Sequence, residues 1–355
     1  MNSHQQIRVL VFATRMSGYM LACLSSLSRK LGAEIVIVRR SPDANQAPFI
    51  FNDVATLRFL DRATLDRRQL IDLVQANSPN LILCFGWSDR DYLAAVQSRP
   101  AHCRAVITMD TQWLATARQF AGLAFGRLKL VPTFDAVWGA GQRQAHFARL
   151  LGFPALRITE GLYAADRKNF DPIMSHHGGL PTKRLVFVGR YASEKGIDIL
   201  WDAFMRHHDN QKSDLELWCF GTGPLASTAP EHPKIRHFGF RQPAELASLL
   251  RDGGVFILPS RHEPWGVVVQ EFALAGFPLI LSRAVGAGDH YLTCDNGILL
   301  DKVDTQSLLS AFKTVDTWSD DTMASFSQKS QKLGEWPSVE DWVENALHLL
   351  QADRT

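Results

Sequence analysis

Glu263 and Glu271 stand eight positions apart in RHEPWGVVVQEFALAGFPLI, between two buried-looking strand sequences, GGVFILPS and PLILS. If Trp265 to Ala275 forms a helix ended by Gly276, a rise of about 1.5 Å per residue puts the two carboxylates roughly 12 Å apart and turned by only about 80°. That separation suits a ligand with hydroxyl groups at each end and an anion between them, because a helix N-terminus offers free N–H groups to phosphate. A nucleotide-diphosphate sugar has this form, with one carboxylate accepting from sugar hydroxyls and the other from ribose. The competing reading is structural: Ser260 and Glu263 make a Ser-x-x-Glu capping box, and Glu271 is a solvated helix residue.

The surrounding sequence decides between them. PS-RHEPWG-VVVQEFALAG-FPLI resembles, nearly position for position, the paired-glutamate signature of retaining glycosyltransferases of the GT-B fold, glycosyltransferase family 4 (group 1). Further matches follow the family's order: VGRYASEKGIDIL at 188–200, CFGTGPL at 219–225, IRHFGF at 235–240, and DNGILL with an acidic residue after it at 295–301. The resemblance is firm from about 160 to 300 and loose before that.

The resemblance implies two Rossmann-like α/β domains facing each other across a cleft, with a C-terminal helix returning to the N-terminal domain. It implies transfer of a hexosyl or N-acetylhexosaminyl group from a UDP-, GDP- or other nucleotide-diphosphate sugar to an acceptor hydroxyl, with retained configuration. No metal and no further cofactor is expected. The acceptor would be a glycan or lipid-linked glycan of the kind used in bacterial surface polysaccharide, lipopolysaccharide or glycolipid synthesis. Glu263 would position the transferred sugar and Glu271 the ribose. Arg190 and Lys195, with helix amides near Gly266 and Val267, would hold the diphosphate, where fixed cations stabilise the charge that grows on the leaving phosphate. Gly223 would lie in a tight loop near the donor, and the nucleobase near Gly239 and Phe240.

Two departures fall in the first part of the chain. The glycine-rich turn expected after the first strand keeps only Gly18, in TRMSGYM. Where the family often has a histidine, AVITMDTQW offers Asp110. Asp110 either orients an acceptor or sugar hydroxyl, with Gln112 and Trp113 lining the site, or caps the helix after it.

Other chemistries are weaker. Gly221-x-Gly223-x-x-Ala226 matches a dinucleotide fingerprint, but Pro224, Pro230 and Pro233 stand where its helix should open. Asp89-Arg90-Asp91 looks like the Asp-x-Asp of metal-dependent glycosyltransferases, yet Ser88 and Asp91 at a helix start explain both acids by capping. The pairs His176-His177 and His207-His208 lack a carboxylate or cysteine set to complete a metal site. A GT-B sugar-nucleotide epimerase, hydrolase or phosphorylase would share the same cleft. A non-catalytic nucleotide-sugar-binding or scaffold protein would more readily have lost one of Arg190, Lys195, Glu263 and Glu271.

The elements that must position these residues read as two α/β series. IRVLVF, EIVIVRR, LILCF, AVITM and AVWG alternate with helical periods in the first, and RLVFVG, LELWCF, IRHFG, VFILPS, PLILS and GILL do so in the second. Polar, Pro- and Gly-containing sequence at about 165–183 reads as a linker. The domains expected are 1–170, binding acceptor; 171–335, binding donor; and a returning helix, 336–355, with Ser338 as its N-cap.

Charge separates the halves: Lys and Arg outnumber Asp and Glu by 21 to 12 through residue 170 and are outnumbered 17 to 24 after it. A basic first half could meet an anionic membrane or a phosphate-bearing acceptor, or simply attract the acidic half. The stretch from Arg118 to Leu130 mixes Phe and Leu with Arg and Lys; it reads either as a helix packed on the sheet, the commoner case, or as a membrane-facing one. No zinc spacing or RNA-binding motif accompanies the charge, which argues against nucleic acid. Five widely spaced cysteines, no signal-peptide core and no run of 18 apolar residues point to a cytoplasmic protein, peripheral at most on the inner face of the cytoplasmic membrane.

Overall fold

The computed structural model describes residues 7–14, 16–41, 55–170, 182–210 and 213–351. These residues divide into two compact units: one runs to Ala164 and resumes at Pro337, and the other spans Ala165–Trp336. His176, His177 and most of the expected linker lie outside the described residues.

The first unit is built on seven parallel strands: β1 (Val9–Phe12), β2 (Ile35–Arg39), β3 (Leu57–Asp61), β4 (Leu81–Phe85), β5 (Arg104–Met109), β6 (Ala136–Gly139) and β7 (Ile158–Thr159). Their order across the sheet is β3-β2-β1-β4-β5-β6-β7. Every residue of β1, β5 and β6 is buried, as expected for central parallel strands covered by helices on both faces. Up to Ala164, the helices of seven residues or more described in this unit are α1 (Gly18–Leu31), α2 (Arg67–Asn77), α3 (Arg90–Gln97), α4 (Ala117–Phe125) and α5 (Gln142–Leu150).

The second unit repeats the plan with β8 (Arg184–Val188), β9 (Glu216–Phe220), β10 (Ile235–Gly239), β11 (Val255–Leu258), β12 (Leu279–Ser282) and β13 (Gly297–Leu300), ordered β10-β9-β8-β11-β12-β13 and all parallel. Its described helices of seven residues or more are α6 (Ile197–Asn210), α7 (Pro243–Leu249), α8 (Val267–Leu274), α9 (Thr305–Thr317) and α10 (Asp320–Gly334). In both sheets the strand order reverses beside the first strand of the series, the place where the loops at the strands' C-terminal ends commonly form a ligand site. The two Rossmann-like units expected from the sequence are present. Among the described residues, no helix is long and apolar enough to cross a membrane.

The last helix, α11 (Val339–Gln351), belongs to the first unit. Ser338 caps it as expected, accepting from Asp341 N at 3.0 Å while its own N–H donates to the Asp341 carboxylate at 2.9 Å. Its anchor is Trp342, fully buried, stacked on Trp138 with ring centroids 4.7 Å apart and donating through Nε1 to the Leu162 carbonyl at 2.7 Å. Trp342→Phe keeps most of the buried ring but strands that carbonyl, so a loss of at least about 1 kcal/mol is expected in denaturant unfolding.

Candidate active site

The loop after β8 carries the two cations. Arg190 stands two residues past the end of the strand, and Lys195 ends a single 3-10 turn, Ser193–Lys195, that leads into α6. The loop after β9 lies on it backbone to backbone: Tyr191 N donates to Thr222 O at 2.9 Å, and Leu225 N to Tyr191 O at 2.9 Å. That approach is why glycines stand at 221 and 223. A Cβ on Gly221 would fall 1.9 Å from Gly189 O, and one on Gly223 would fall 2.6 Å from Tyr191 O and 3.0 Å from Arg190 Cγ. Gly223 therefore supports Arg190 from behind. The prolines after it do prevent a long helix, leaving only the 3-10 turn Ala226–Thr228.

Glu263 sits in the loop after β11, and this corrects the expected helix from Trp265 to Ala275. The helix is α8, Val267–Leu274, and Glu263 precedes it by four residues, paired with Val285 in an isolated parallel bridge. Gly286 N donates to Glu263 O at 3.0 Å, and Ala287 N to Trp265 O at 2.9 Å. The Ser260 hydroxyl is buried without a hydrogen-bond partner, so the capping-box reading fails as well. A Cβ on Gly286 would lie 2.1 Å from Pro264 O, which explains the glycine there as a seat for this loop. The carboxylate of Glu263 forms an ion pair with the Lys195 ammonium, and both side chains are largely shielded from solvent, at 12% and 21% exposure.

Arg261 locks the two loops in register. Its guanidinium donates to both carboxylate oxygens of Asp198 at 2.7 and 3.0 Å and to Ser193 O. The backbone N–H groups of Arg261 and His262 donate to Glu194 O at 2.8 and 3.1 Å. Arg190 pairs with Glu194 and is half exposed, so it is the more available of the two cations.

The helix that follows opens at Gly266, whose φ of +95° only glycine takes readily, and no side chain caps it. Val269 N donates to Gly266 O at 3.0 Å, so the amides of Val267 and Val268 are the first-turn donors left at the helix start beside Glu263, with the helix dipole behind them. Further along, Gln270 is buried and fixes the helix at both ends of its side chain, accepting from Ala165 N at 2.9 Å and donating to Gly334 O at 3.2 Å. The first bond sets Asp166 beside Glu271. Burial, and then the Asp166 charge, push the Glu271 carboxyl up to about 7. By surface area Glu271 is partly buried. Gly239 ends β10 at φ +67° and accepts Gly221 N at 2.8 Å, with nothing within 4 Å of where a Cβ would stand, and Phe240 beside it is half-buried.

Gly18 and Asp110 lie in the first unit. Asp110 does not cap α4; Thr116 does, with Gln119 completing the box. Instead, Asp110 accepts from the Tyr163 hydroxyl at 3.2 Å, and its carbonyl accepts from Gln144 Nε2 at 2.8 Å. Burial holds the Tyr163 hydroxyl well above its ordinary pKa, so it remains a donor. Tyr19 packs edge-on against Tyr163 at 5.5 Å, which brings the start of α1, and hence Gly18, to the same place. Nothing lies within 4 Å of a Cβ built on Gly18, so no close neighbour requires a glycine there.

The Asp-x-Asp is engaged otherwise. Asp89, not Ser88, caps α3, accepting from Asp91 N and Tyr92 N, and Arg62 bridges both carboxylates at 2.8 and 2.9 Å. A cavity of about 230 Å³ beside it is lined by Thr14, Arg40, Ser88, Asp89 and Tyr92. None of the residues expected to hold the donor lines it.

The structure thus brings Lys195 to Glu263, Gly223 to Arg190 and Gly266 to Glu263. Reasoning from sequence missed Arg261, Asp198, Asp166, Gly286 and Tyr163, whose roles depend on contacts across loops that no spacing rule marks.

Residues 182–315 match the family model described as glycosyl transferases group 1. A GDP-mannose-dependent alpha-mannosyltransferase of Corynebacterium glutamicum is 32% identical over 218 residues, which is 60% of this chain and 49% of that protein. The chain spans about half the length of that relative. Among solved structures, a glycosyltransferase from Rickettsia africae superposes with a TM-score of 0.73 at 10% identity, covering 98% of each chain. Anabaena Alr3699/HepE in complex with UDP and glucose does so with a TM-score of 0.70 at 15% identity, covering 97% of this chain and 99% of that one. The fold is that of the GT-B glycosyltransferases, and the group 1 resemblance read from the motifs stands.

Proposed function

We propose that this chain, matched over 182–315 to the group 1 glycosyl transferases and folded as GT-B enzymes are, moves a sugar from a nucleotide-diphosphate donor to an acceptor hydroxyl with retention of configuration. The observation that carries the proposal is the Lys195–Glu263 pair beside the uncapped N-terminus of α8. A cation, a carboxylate and helix-start amides within one loop cluster match the three parts of such a donor: phosphate, sugar hydroxyls and phosphate again.

In this reading Lys195 and Arg190 hold the diphosphate with the amides of Val267 and its neighbour, and stabilise the charge that develops as the sugar–phosphate bond breaks. Glu263 accepts from hydroxyls of the transferred sugar. Glu271 accepts from ribose, and the main chain at Gly239 and Phe240 meets the base. Asp110, held by Tyr163, is assigned to a hydroxyl of the acceptor or of the sugar. The transferred group is a hexosyl or N-acetylhexosaminyl unit, and the acceptor a glycan or lipid-linked glycan.

Screening nucleotide sugars for thermal stabilisation tests the donor class, since a ligand at 100 times its dissociation constant adds about 2.7 kcal/mol. With the diphosphate assigned to Arg190, Lys195 and helix amides rather than to a metal, transfer is expected to survive excess EDTA, and Asp91→Ala to cost little. Activity lost on chelation and restored by Mn²⁺ or Mg²⁺ would return the Asp-x-Asp to consideration.

A further inference from the structure

The helical run that begins with α4 continues through a π turn, Gly126–Leu130, into a last turn at Val131–Thr133. The sequence left open whether it packs on the sheet or faces a membrane, and in the structure one edge packs, with Leu123 half-buried against the core and Gly126 and Leu130 buried, while much of the rest is exposed. No residue of α4 is buried. Phe120, Phe125 and Leu128 are 56%, 40% and 72% exposed, and Leu114 just before the helix is 50% exposed.

The π turn is where the run meets the unit. Gly126 and Leu130 face inward, with Gly126 so close to Leu151 that a Cβ would come within 2.7 Å of it, while Arg127, Leu128 and Lys129 all face solvent. Arg127 lies over Gly152. Arg157 then ties the next turn, Ala155–Arg157, to the end of the run by donating to Asp135 O at 2.7 Å and Val131 O at 3.1 Å. Leu156 on that turn is 96% exposed.

Of the seven large apolar side chains that stand exposed among the described residues, five fall in this one region. The charge around them has one sign. From Thr111 to Phe134 there is no acidic residue, and Arg118, Arg127 and Lys129 are exposed, with no ion-pair partner among the described residues.

The geometry points to this face as a docking surface for an anionic lipid bilayer. Apolar side chains exposed among cations of one sign, with no acidic residue in the run, are what a bilayer with anionic headgroups accommodates. Phe and Leu enter the acyl boundary while Arg and Lys reach back to phosphate headgroups. The inference does not depend on the transfer reaction, and nucleoside-diphosphate binding in the same preparations reports on that separately.

Flotation of the full chain with phosphatidylglycerol-containing vesicles, against pure phosphatidylcholine vesicles, tests it. The wild type is expected to float with the anionic vesicles and not the neutral ones, and to be released by raised salt. Each basic residue near an anionic surface strengthens binding about fivefold, so Arg127→Gln with Lys129→Gln should weaken it about 25-fold. Leu128→Gln should weaken it about tenfold. All three positions are exposed, so the variants should keep the wild-type unfolding temperature. Leu128→Trp adds a reporter whose emission should shift to the blue only with anionic vesicles. The proposal is overturned if the wild type stays at the bottom with anionic vesicles at low salt, or if these variants float as it does. It is equally overturned if sedimentation shows a dimer that Leu128→Gln dissociates.

Discussion

Lys195→Ala is expected to lower transfer by roughly 10²- to 10³-fold and to weaken binding of free nucleoside diphosphate, whereas Glu263→Ala lowers transfer without weakening that binding. The difference follows from the ion pair between them. Removing one partner of a shielded pair leaves the other charge uncompensated, at about 3–5 kcal/mol. Without Lys195, the stranded charge is a carboxylate facing an incoming anion. Without Glu263, it is an ammonium that no longer divides its hydrogen bonds between carboxylate and phosphate. Free nucleoside diphosphate then binds as well as before or more tightly, but the sugar has lost an acceptor contributing about 1.5–3 kcal/mol, or about 10- to 150-fold in transfer. The double variant should bind nucleotide better than Lys195→Ala alone, a coupling that independent residues would not show. Titrating nucleoside diphosphate into the three folded variants decides the matter. Should Glu263→Ala lose nucleotide affinity as badly as Lys195→Ala, the division of roles in this loop is wrong.

How this loop is held was only partly legible. All six strands of the second unit stand where the sequence placed them: buried parallel strands such as Val255–Leu258 and Leu279–Ser282 write themselves as continuous apolar sequence, while the partly exposed edge strand Ile235–Gly239 was marked by its motif match. In the first unit β3 escaped notice, since a partly exposed edge strand such as Leu57–Asp61 carries polar residues between its apolar ones, as did β7, which is only two residues long. The helix start was read too early. Pro264 disfavours helical geometry at Glu263, and Gly266 takes a positive φ; both signals were in the sequence, but the Ser-x-x-Glu pattern competed with them. Arg261 and Asp198 are another matter. Sixty-three residues separate them, and their bond exists only because β8 and β11 are adjacent in the sheet. Topology made the contact, and no local pattern announces it. Asp110 shows the same limit, since its tyrosine partner lies 53 residues on.

Glu271→Gln should change how stability depends on pH. The wild-type carboxyl is raised from 4.5 to about 7 by burial and by Asp166. Between those values the unfolded chain gives up this proton while the folded chain keeps it, so the native state binds more protons and stability falls as pH rises. At 1.36 kcal/mol per pH unit, the loss reaches at most about 3 kcal/mol above pH 7. Glutamine cannot ionise and is spared that loss. The variant should therefore match the wild type near pH 4.5 and unfold several degrees higher at pH 8; Asp166→Asn should recover a smaller part of the difference. In the proposed function a ligand offsets this cost by donating to the ionised carboxylate. Ribose hydroxyls donate to the ionised form, so a nucleotide sugar, whose diphosphate has no proton left to lose in this range, should bind more tightly at pH 8 than at pH 6 and release protons on binding near pH 7. Glu271→Gln should abolish both effects and weaken the donor and free nucleoside diphosphate together. Parallel stability profiles for the two proteins would remove the raised pKa, while a pH-independent donor affinity in the wild type, or unchanged nucleotide affinity in the variant, would remove Glu271 from the ribose.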